Sequence, residues 1–174
     1  LAALDEALHL GEWYPRLFPS FAFGYGQAVL NFYGPFAYYL AESFHLLGLG
    51  TVEAAKAAFA FGYFASALAM YALGCAAFGR AGGLLAAAAY TYYPYRLAET
   101  YLRGALAEHL AFIFLPLLVL PIVARWPTRR AIITIGLAFA GLILTHSLSA
   151  MIFAPLLFLF VLIPARRESL RVGM

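Results

Sequence analysis

Charged residues are scarce in this chain. They make up 11% of the 174 residues, whereas hydrophobic residues make up 65% and the mean hydropathy is +0.86. A soluble domain is about 25% charged and could not bury this much apolar surface, which excludes an ordinary globular protein. The single cysteine, Cys75, excludes a disulfide framework. The basic residues form short clusters, so the positive net charge does not indicate nucleic-acid binding.

Two long uncharged stretches are the strongest pattern. Residues 57–79 and 131–165 contain no charged residue, and a spanning helix needs about 20 apolar residues. The longer stretch therefore predicts two spans, which separate near residues 145–149. We predict an all-α, polytopic integral membrane protein with about four spanning helices. In order, the spanning helices are 51–78, a short second one over 80–92, a third that follows an interruption at Gly104 and ends near Ala124, and a hairpin of 130–146 and 148–165.

Residues 1–50 precede the first span, and their sequence is typical of segments that lie at the membrane interface. An amphipathic helix is predicted over residues 1–10, and a second short helix over 35–48. An aromatic stretch interrupted by proline and glycine separates them. The second helix is too short to span a membrane and contains Glu42 and His45, so we expect it to be interfacial or re-entrant.

The predicted loops differ in charge. Seven of the eleven basic residues fall on one side, in the loops after residues 78, 124 and 165. The positive-inside rule makes this arginine-rich side cytoplasmic. The other side carries seven of the eight acidic residues and all four histidines. We therefore predict two parts, an extracytoplasmic loop of residues 1–50 and a transmembrane domain of residues 51–174. An outer loop at 91–106 would lie beside the first part and cap a cavity with it.

Four segments carry a family resemblance: "GEWYPRLFPSFAFGYGQAVLNFYGPFAYYLAESFHLLGLG", "FGRAGGLLAAAAYTYYPYR", "YRLAETYLRGALAEHLAFIFLPL" and "LTHSLSA". They resemble the polytopic GT-C glycosyltransferase superfamily, especially the bacterial membrane proteins labelled 6-pyruvoyl-tetrahydropterin-synthase-related. The resemblance implies a glycosyltransferase in a bacterial inner or plasma membrane, using a polyprenyl-phosphate sugar donor on the extracytoplasmic face. It also implies a catalytic acidic residue just after a first transmembrane helix. We expect that residue upstream of Leu1, in a longer protein, with Asp5 as the second candidate.

Asp5 lies on a polar stripe of the first helix. Asp5, His9 and Glu12 are spaced i, i+4 and i+7, an arrangement that could supply a general base or ligands for a divalent cation. The same spacing is common on the solvated face of an amphipathic helix. The cofactor therefore stays open, with a divalent cation as the candidate.

Three polar residues in the aromatic stretch are candidates for binding the substrate. These are Arg16, Asn31 and Tyr33. The surrounding aromatic rings could stack on a sugar or on an isoprenoid, and they could equally form the interfacial belt of a membrane protein. Tyr33 also precedes a Gly-Pro pair that sets the turn into the next helix.

A second set of candidates follows Pro94. A helix starting there would place Arg96, Glu99 and Arg103 on one face, and Glu99 precedes Arg103 in the favourable order for an ion pair. A guanidinium suits bidentate phosphate binding, so we expect both arginines to recognise the donor phosphate with Glu99 orienting them. Arginines that anchor the helix to lipid headgroups are the alternative.

Three further ionisable residues lie near predicted span ends. Glu108 and His109 enter a span, where such groups usually face a cavity, although groups this close to an end can also reach the interface. His146 lies beside hydroxyl residues in the last hairpin. Its imidazole could cap that turn or belong to the substrate-binding site.

A transporter or lipid flippase subunit and a non-catalytic assembly protein are the alternatives to a glycosyltransferase. A transporter would need paired or broken helices with ionisable groups near the middle of the bilayer. The middles of 57–79 and 131–165 are uncharged, which counts against it. The expected partners are the lipid bilayer and the polyprenyl-phosphate sugar.

Overall fold

The chain is almost entirely helical. A computed structural model describes the backbone of residues 1–172 and the side chains of residues 1–160. Helices contain 79% of the chain, and the described part has no strand, which confirms the predicted all-α class. The helices are α1 (Ala2–His9), α2 (Val29–Phe32), α3 (Phe36–Leu46), α4 (Thr51–Thr91), α5 (Pro94–Ala98), α6 (Leu106–Val123), α7 (Thr128–Thr145) and α8 (Ser147–Val172). A π-helical turn, Glu99–Arg103, follows α5.

Helix α4 is folded back on itself at Gly79. This residue has φ 76° and ψ −178°, a conformation essentially restricted to glycine. The two arms, residues 51–78 and 80–91, pack against each other, and a Cβ added to Gly74 would lie 2.8 Å from the Cα of Gly83. In a continuous helix those two glycines would be about 14 Å apart. The sequence predicted the same two segments.

Helix α6 lies at the centre of the bundle, against α4 on one side and α7 on the other. Within the described residues, α4, α6 and α7 are long and apolar enough to cross a membrane, and Ser147–Phe160 of α8 is a shorter apolar helix. The predicted spans 51–78, 104–124 and 130–146 thus lie in helices of sufficient length, whereas 148–165 lies in α8, whose described apolar part is shorter. Helix α8 continues to Val172, so the backbone over 166–171 is helical where the sequence predicted a loop. The arginine side chains of that segment lie outside those described.

Residues 1–50 form a layer over one end of the bundle. Ala37 of α3 is buried with Leu110 of α6, because alanine allows the two helices to approach closely. Helix α1 joins the layer through Leu4, which packs with Phe18 and Leu30. This layer places the ionisable residues of α1 and α3 above the starts of the spanning helices.

The two ends of the bundle differ in charge. Gly34 fits against the backbone carbonyls of Leu144 and Thr145 at the end of α7, and His109 near the start of α6 contacts the carbonyl of Phe59. The starts of α4 and α6 and the end of α7 therefore meet under the layer. This acidic end holds all seven acidic residues found within residues 1–160. The opposite, arginine end holds Arg80, Arg125, Arg129 and Arg130.

Candidate functional site

An ionic cluster lies between α5 and α6 at the acidic end. Arg103, the last residue of the π-helical turn, forms salt bridges with Glu99 and with Glu108, the second at 3.3 Å. Tyr95 donates a hydrogen bond to Glu108. The Arg103 side chain is 57% exposed, whereas Glu99 is fully buried. The cluster therefore presents one guanidinium at the surface, held by carboxylates on its inner side.

The protonation of this cluster follows from its contacts. Burial raises the pKa of Glu99, and the nearby Glu108 carboxylate adds to this rise, while Arg103 opposes it. Glu99 in turn raises the pKa of Arg103. The hydrogen bond to Glu108 raises the pKa of Tyr95 to about 12. At neutral pH, Arg103 is therefore a cation and Tyr95 keeps the proton that it donates.

Arg96 is separate from the ionic cluster. It is fully buried, and its guanidinium carbon lies 4.5 Å from the ring centre of Tyr63 and 5.2 Å from that of Phe112. It donates one hydrogen bond, 3.1 Å long, to the carbonyl of Gly62, while its Nε and Nη1 have no partner. No carboxylate among the described side chains forms a salt bridge with it. Burial lowers the pKa of Arg96.

The single face predicted for Arg96, Glu99 and Arg103 does not form. Helix α5 ends at Ala98, and the chain continues as a π-helical turn that Gly104 closes by donating its amide to the Glu99 carbonyl. A π-helical turn bonds residues five apart, so it holds more residues than an α-helical turn and changes the direction of the side chains that follow. Arg103 therefore lies at the surface while Arg96 faces α4 and α6. Glu99 pairs with one arginine instead of two.

His109 lies inside the protein where α4 and α6 meet. Its Nε2 is 3.1 Å from the carbonyl of Phe59, and its Nδ1 is 3.2 Å from the Thr100 hydroxyl. Gly62 makes room for the ring, since a Cβ added there would lie 2.7 Å from Nε2. The sequence left open whether His109 turns inward or reaches the membrane interface. In the structure its side chain turns inward and packs against protein. Its neighbour Glu108 belongs to the ionic cluster.

A second polar cluster, Asp5–Glu42–His45, connects α1 with α3. One possible ligand atom from each residue lies within 4.8 Å of the other two. His45 places its Nε2 4.0 Å from Asp5 Oδ2 and its Nδ1 2.7 Å from the carbonyl of Leu49. Glu42 is 1% exposed, and neither of its carboxylate oxygens has a hydrogen-bond partner. Burial, reinforced by the Asp5 carboxylate, raises the pKa of Glu42.

The sequence predicted different partners for Asp5. Helix α1 ends at His9, so Glu12 lies beyond the helix and is exposed, which corrects the predicted polar stripe. His9 does contact Asp5, at 3.7 Å. Glu42 and His45 were missed as site residues, although their spacing places them on one face of α3. Only the packing of α1 on α3 shows that this face meets Asp5.

The other candidate residues lie outside both clusters. Arg16, Asn31 and Tyr33 are exposed and, within the described chain, make no side-chain hydrogen bond to either cluster. His146 precedes α8, and its Nδ1 is 2.7 Å from the Ser149 hydroxyl and accepts from the Ser149 amide at 3.4 Å. That geometry is a cap on the first turn of α8.

These features define the class of this protein: a polytopic helical membrane protein whose ionisable residues cluster at one end of the bundle. The chain belongs to the 6-pyruvoyl-tetrahydropterin synthase related family of membrane proteins, whose family model matches residues 30–172. The match includes α3 to α8, and Asp5 precedes it. No curated protein and no solved structure matches the chain. Membership of this family therefore establishes that the chain is a membrane protein.

Proposed function

We propose that this chain is part of a GT-C-type glycosyltransferase that uses a polyprenyl-phosphate sugar donor at the acidic end of the bundle. In this proposal the acidic end faces the extracytoplasmic side of a bacterial membrane, as the positive-inside rule predicts for the arginine end. The observation that carries the proposal is Arg103, an exposed guanidinium held by Glu99 and Glu108. Guanidinium groups bind phosphate oxygens through two parallel hydrogen bonds.

The surroundings of Arg103 suit a lipid-linked phosphate. Tyr92, Tyr93 and Tyr101 are exposed on the same loop, and exposed tyrosines are typical of the membrane interface, where a lipid phosphate lies. Two carboxylates order the long Arg103 side chain before a ligand arrives, which reduces the entropy lost on binding. Arg96 is too deeply buried to contact a donor. We assign it to positioning α5 against α4 and α6.

Sugar transfer would use both the ionic cluster around Arg103 and the aromatic stretch between α1 and α3. Arg103 would neutralise the charge that develops on the phosphate as its bond to the sugar breaks. The exposed aromatic residues around Arg16, Asn31 and Tyr33 offer a stacking surface for the sugar or the isoprenoid. A carboxylate would remove the proton of the acceptor hydroxyl. The candidates are an acidic residue upstream of Leu1 and, within the described chain, Asp5.

A transfer assay tests this proposal. The full-length protein in nanodiscs is incubated with radiolabelled polyprenyl-phosphate hexoses and with washed membranes as the source of acceptor. We expect labelled acceptor and released polyprenyl phosphate. Arg103→Lys keeps the charge but loses the second hydrogen bond, so the KM for the donor should rise about tenfold or more. Arg129→Lys, at the arginine end, is the matched control and should leave the KM unchanged.

Two outcomes would contradict the proposal. If Arg103→Lys transfers sugar as well as the parent at equal expression, Arg103 is only a membrane anchor. If proteoliposomes take up a substrate while no sugar reaches an acceptor, the protein is a transporter.

A further inference from the structure

The Glu42 carboxylate is placed in an unusual environment. It is 1% exposed, and both of its oxygens lack a hydrogen-bond partner in the described structure. A buried carboxylate without partners is strongly unfavourable, so such groups are normally paired, protonated or bound to a metal ion. No arginine or lysine of the described side chains forms a salt bridge with Glu42 or with Asp5.

The ionisable groups around Glu42 are Asp5, His45 and the amino group of Leu1, and the first two are of the kinds that bind metal ions. Asp5 and His45 bring a second carboxylate and an imidazole within 4.8 Å of it. Two carboxylates placed this close repel each other unless a cation or a proton lies between them. Metal–nitrogen and metal–oxygen bonds are about 2.0–2.2 Å long, so two ligand atoms of a tetrahedral ion lie about 3.3–3.6 Å apart. Side-chain movements of up to about 1.5 Å would close this site.

His45 already has the orientation of a metal ligand. Its Nδ1 lies 2.7 Å from the carbonyl of Leu49, which can only accept, so Nδ1 carries the proton. The lone pair is then on Nε2, the nitrogen that faces Asp5 at 4.0 Å. Histidines that bind metals usually donate their other ring N–H to a carbonyl or a carboxylate in this way. His9 lies beside the opposite oxygen of Asp5, Oδ1, at 3.7 Å, which leaves Oδ2 directed to the site.

We propose that Asp5, Glu42 and His45 bind one divalent transition-metal ion that links α1 to α3. The imidazole nitrogen selects a metal such as Zn²⁺ over Mg²⁺ or Ca²⁺, which prefer sites made of oxygen ligands alone. Three protein ligands leave an open position for water or for an anionic oxygen of a substrate. Asp5 is then a metal ligand and no longer a candidate for the general base. The metal site does not depend on the proposed sugar transfer.

Metal titration of the purified full-length protein tests the site. After removal of metals with a chelator, Zn²⁺ is titrated by calorimetry, and Mn²⁺ is followed by electron paramagnetic resonance. We expect one Zn²⁺ per chain, weaker binding of Mn²⁺ as the stability order of divalent metals predicts, and a rise in Tm with Zn²⁺. Glu42→Gln should weaken Zn²⁺ binding by at least about 100-fold, because even residues behind the ligands contribute about 10–100-fold.

The Tm of the metal-free variants separates a metal ligand from a structural residue. Glu42→Gln removes an unpaired buried charge, so its metal-free Tm should equal or exceed that of the metal-free parent, although its response to Zn²⁺ is lost. A structural role alone would lower the Tm with and without metal. Glu6→Gln, on an exposed neighbour of Asp5, is the control and should bind Zn²⁺ like the parent. His45→Asn, which changes a partly exposed residue, repeats the test should Glu42→Gln not fold.

Two results would overturn the site. The first is a parent protein that binds neither Zn²⁺ nor Mn²⁺, or that binds only Mg²⁺. The second is a Glu42→Gln or His45→Asn variant that binds Zn²⁺ with the affinity of the parent.

Discussion

At the scale of single residues, Arg96 shows how a charge can be held in an apolar bundle without a carboxylate. Its guanidinium stacks on Tyr63 and Phe112 and makes one hydrogen bond to Gly62. A desolvated cation–π contact contributes about 2 kcal/mol, whereas burial of a charge without a counter-ion costs several kcal/mol. The charge of Arg96 therefore does not stabilise the fold, and what the side chain contributes is its contact with the aromatic rings.

Replacing Arg96 by methionine or lysine tests this view. Arg96→Met keeps the contacts with the aromatic rings and removes the charge, so stability should stay within about 1 kcal/mol of the parent or increase. Arg96→Lys keeps the charge but loses the planar stacking, and it should destabilise by about 2 kcal/mol. Thermal unfolding in detergent measures both. A methionine variant less stable than the lysine variant would show that the charge itself holds the fold.

At the scale of secondary-structure elements, the folded-back helix α4 depends on contact between glycines. A Cβ added to Gly83 would lie 2.5 Å from the Cys75 sulfur and 2.9 Å from the Tyr71 carbonyl oxygen. The second of these is a backbone atom, which cannot move away without shifting an arm. Close helix contacts through small residues are common in membranes, where packing instead of the hydrophobic effect drives association.

Alanine at position 83 should therefore destabilise the protein. We expect Gly83→Ala to cost about 1–3 kcal/mol, because it forces the two arms apart. Gly136→Ala is the matched control, since a Cβ there meets nothing within 4 Å, and alanine favours a helix by up to about 1 kcal/mol over glycine. Thermal unfolding of both variants in detergent compares them. Equal effects at positions 83 and 136 would mean that the arms are not packed together.

Local signals predicted some elements of this fold and missed others. The break at Gly79 follows from the Gly-Arg pair between two apolar segments, and Gly104 marks the predicted interruption before the span that forms α6. The π-helical turn Glu99–Arg103 has no comparable signature, because its residues suit an ordinary α-helix equally well. It forms where Arg96 packs against α4 and α6, and these contacts are distant in sequence. The predicted common face of the two arginines failed for this reason.

At the scale of the whole molecule, the two bundle ends carry opposite sets of charges. Among residues 1–160, the acidic end holds every acidic residue, and the arginine end holds Arg80, Arg125, Arg129 and Arg130. The loop pattern of the sequence was sufficient to predict this division. The pairing of Asp5 with Glu42 and His45 was not predictable, because it depends on how Leu4, Phe18 and Leu30 pack α1 on α3.

Cysteine labelling tests which end faces the cytoplasm. In a Cys75→Ala background, Tyr101→Cys lies at the acidic end on a side chain that is 78% exposed, and Arg129→Cys lies at the arginine end. A membrane-impermeant maleimide should label position 101 only in right-side-out vesicles and position 129 only in inside-out vesicles, as the positive-inside rule requires. The reverse pattern would contradict an extracytoplasmic site.

The arm of residues 80–91 is too short to match the thickness of a bilayer. It extends about 18 Å at 1.5 Å per residue, whereas the hydrocarbon core is about 30 Å thick. Leu84 and Leu85 on this arm are exposed, and the exposed Tyr92 and Tyr93 follow directly. A bilayer meets such a hydrophobic mismatch by thinning locally. We therefore expect compressed acyl chains beside this arm, which would lower the headgroup of a long-chain lipid phosphate towards Arg103.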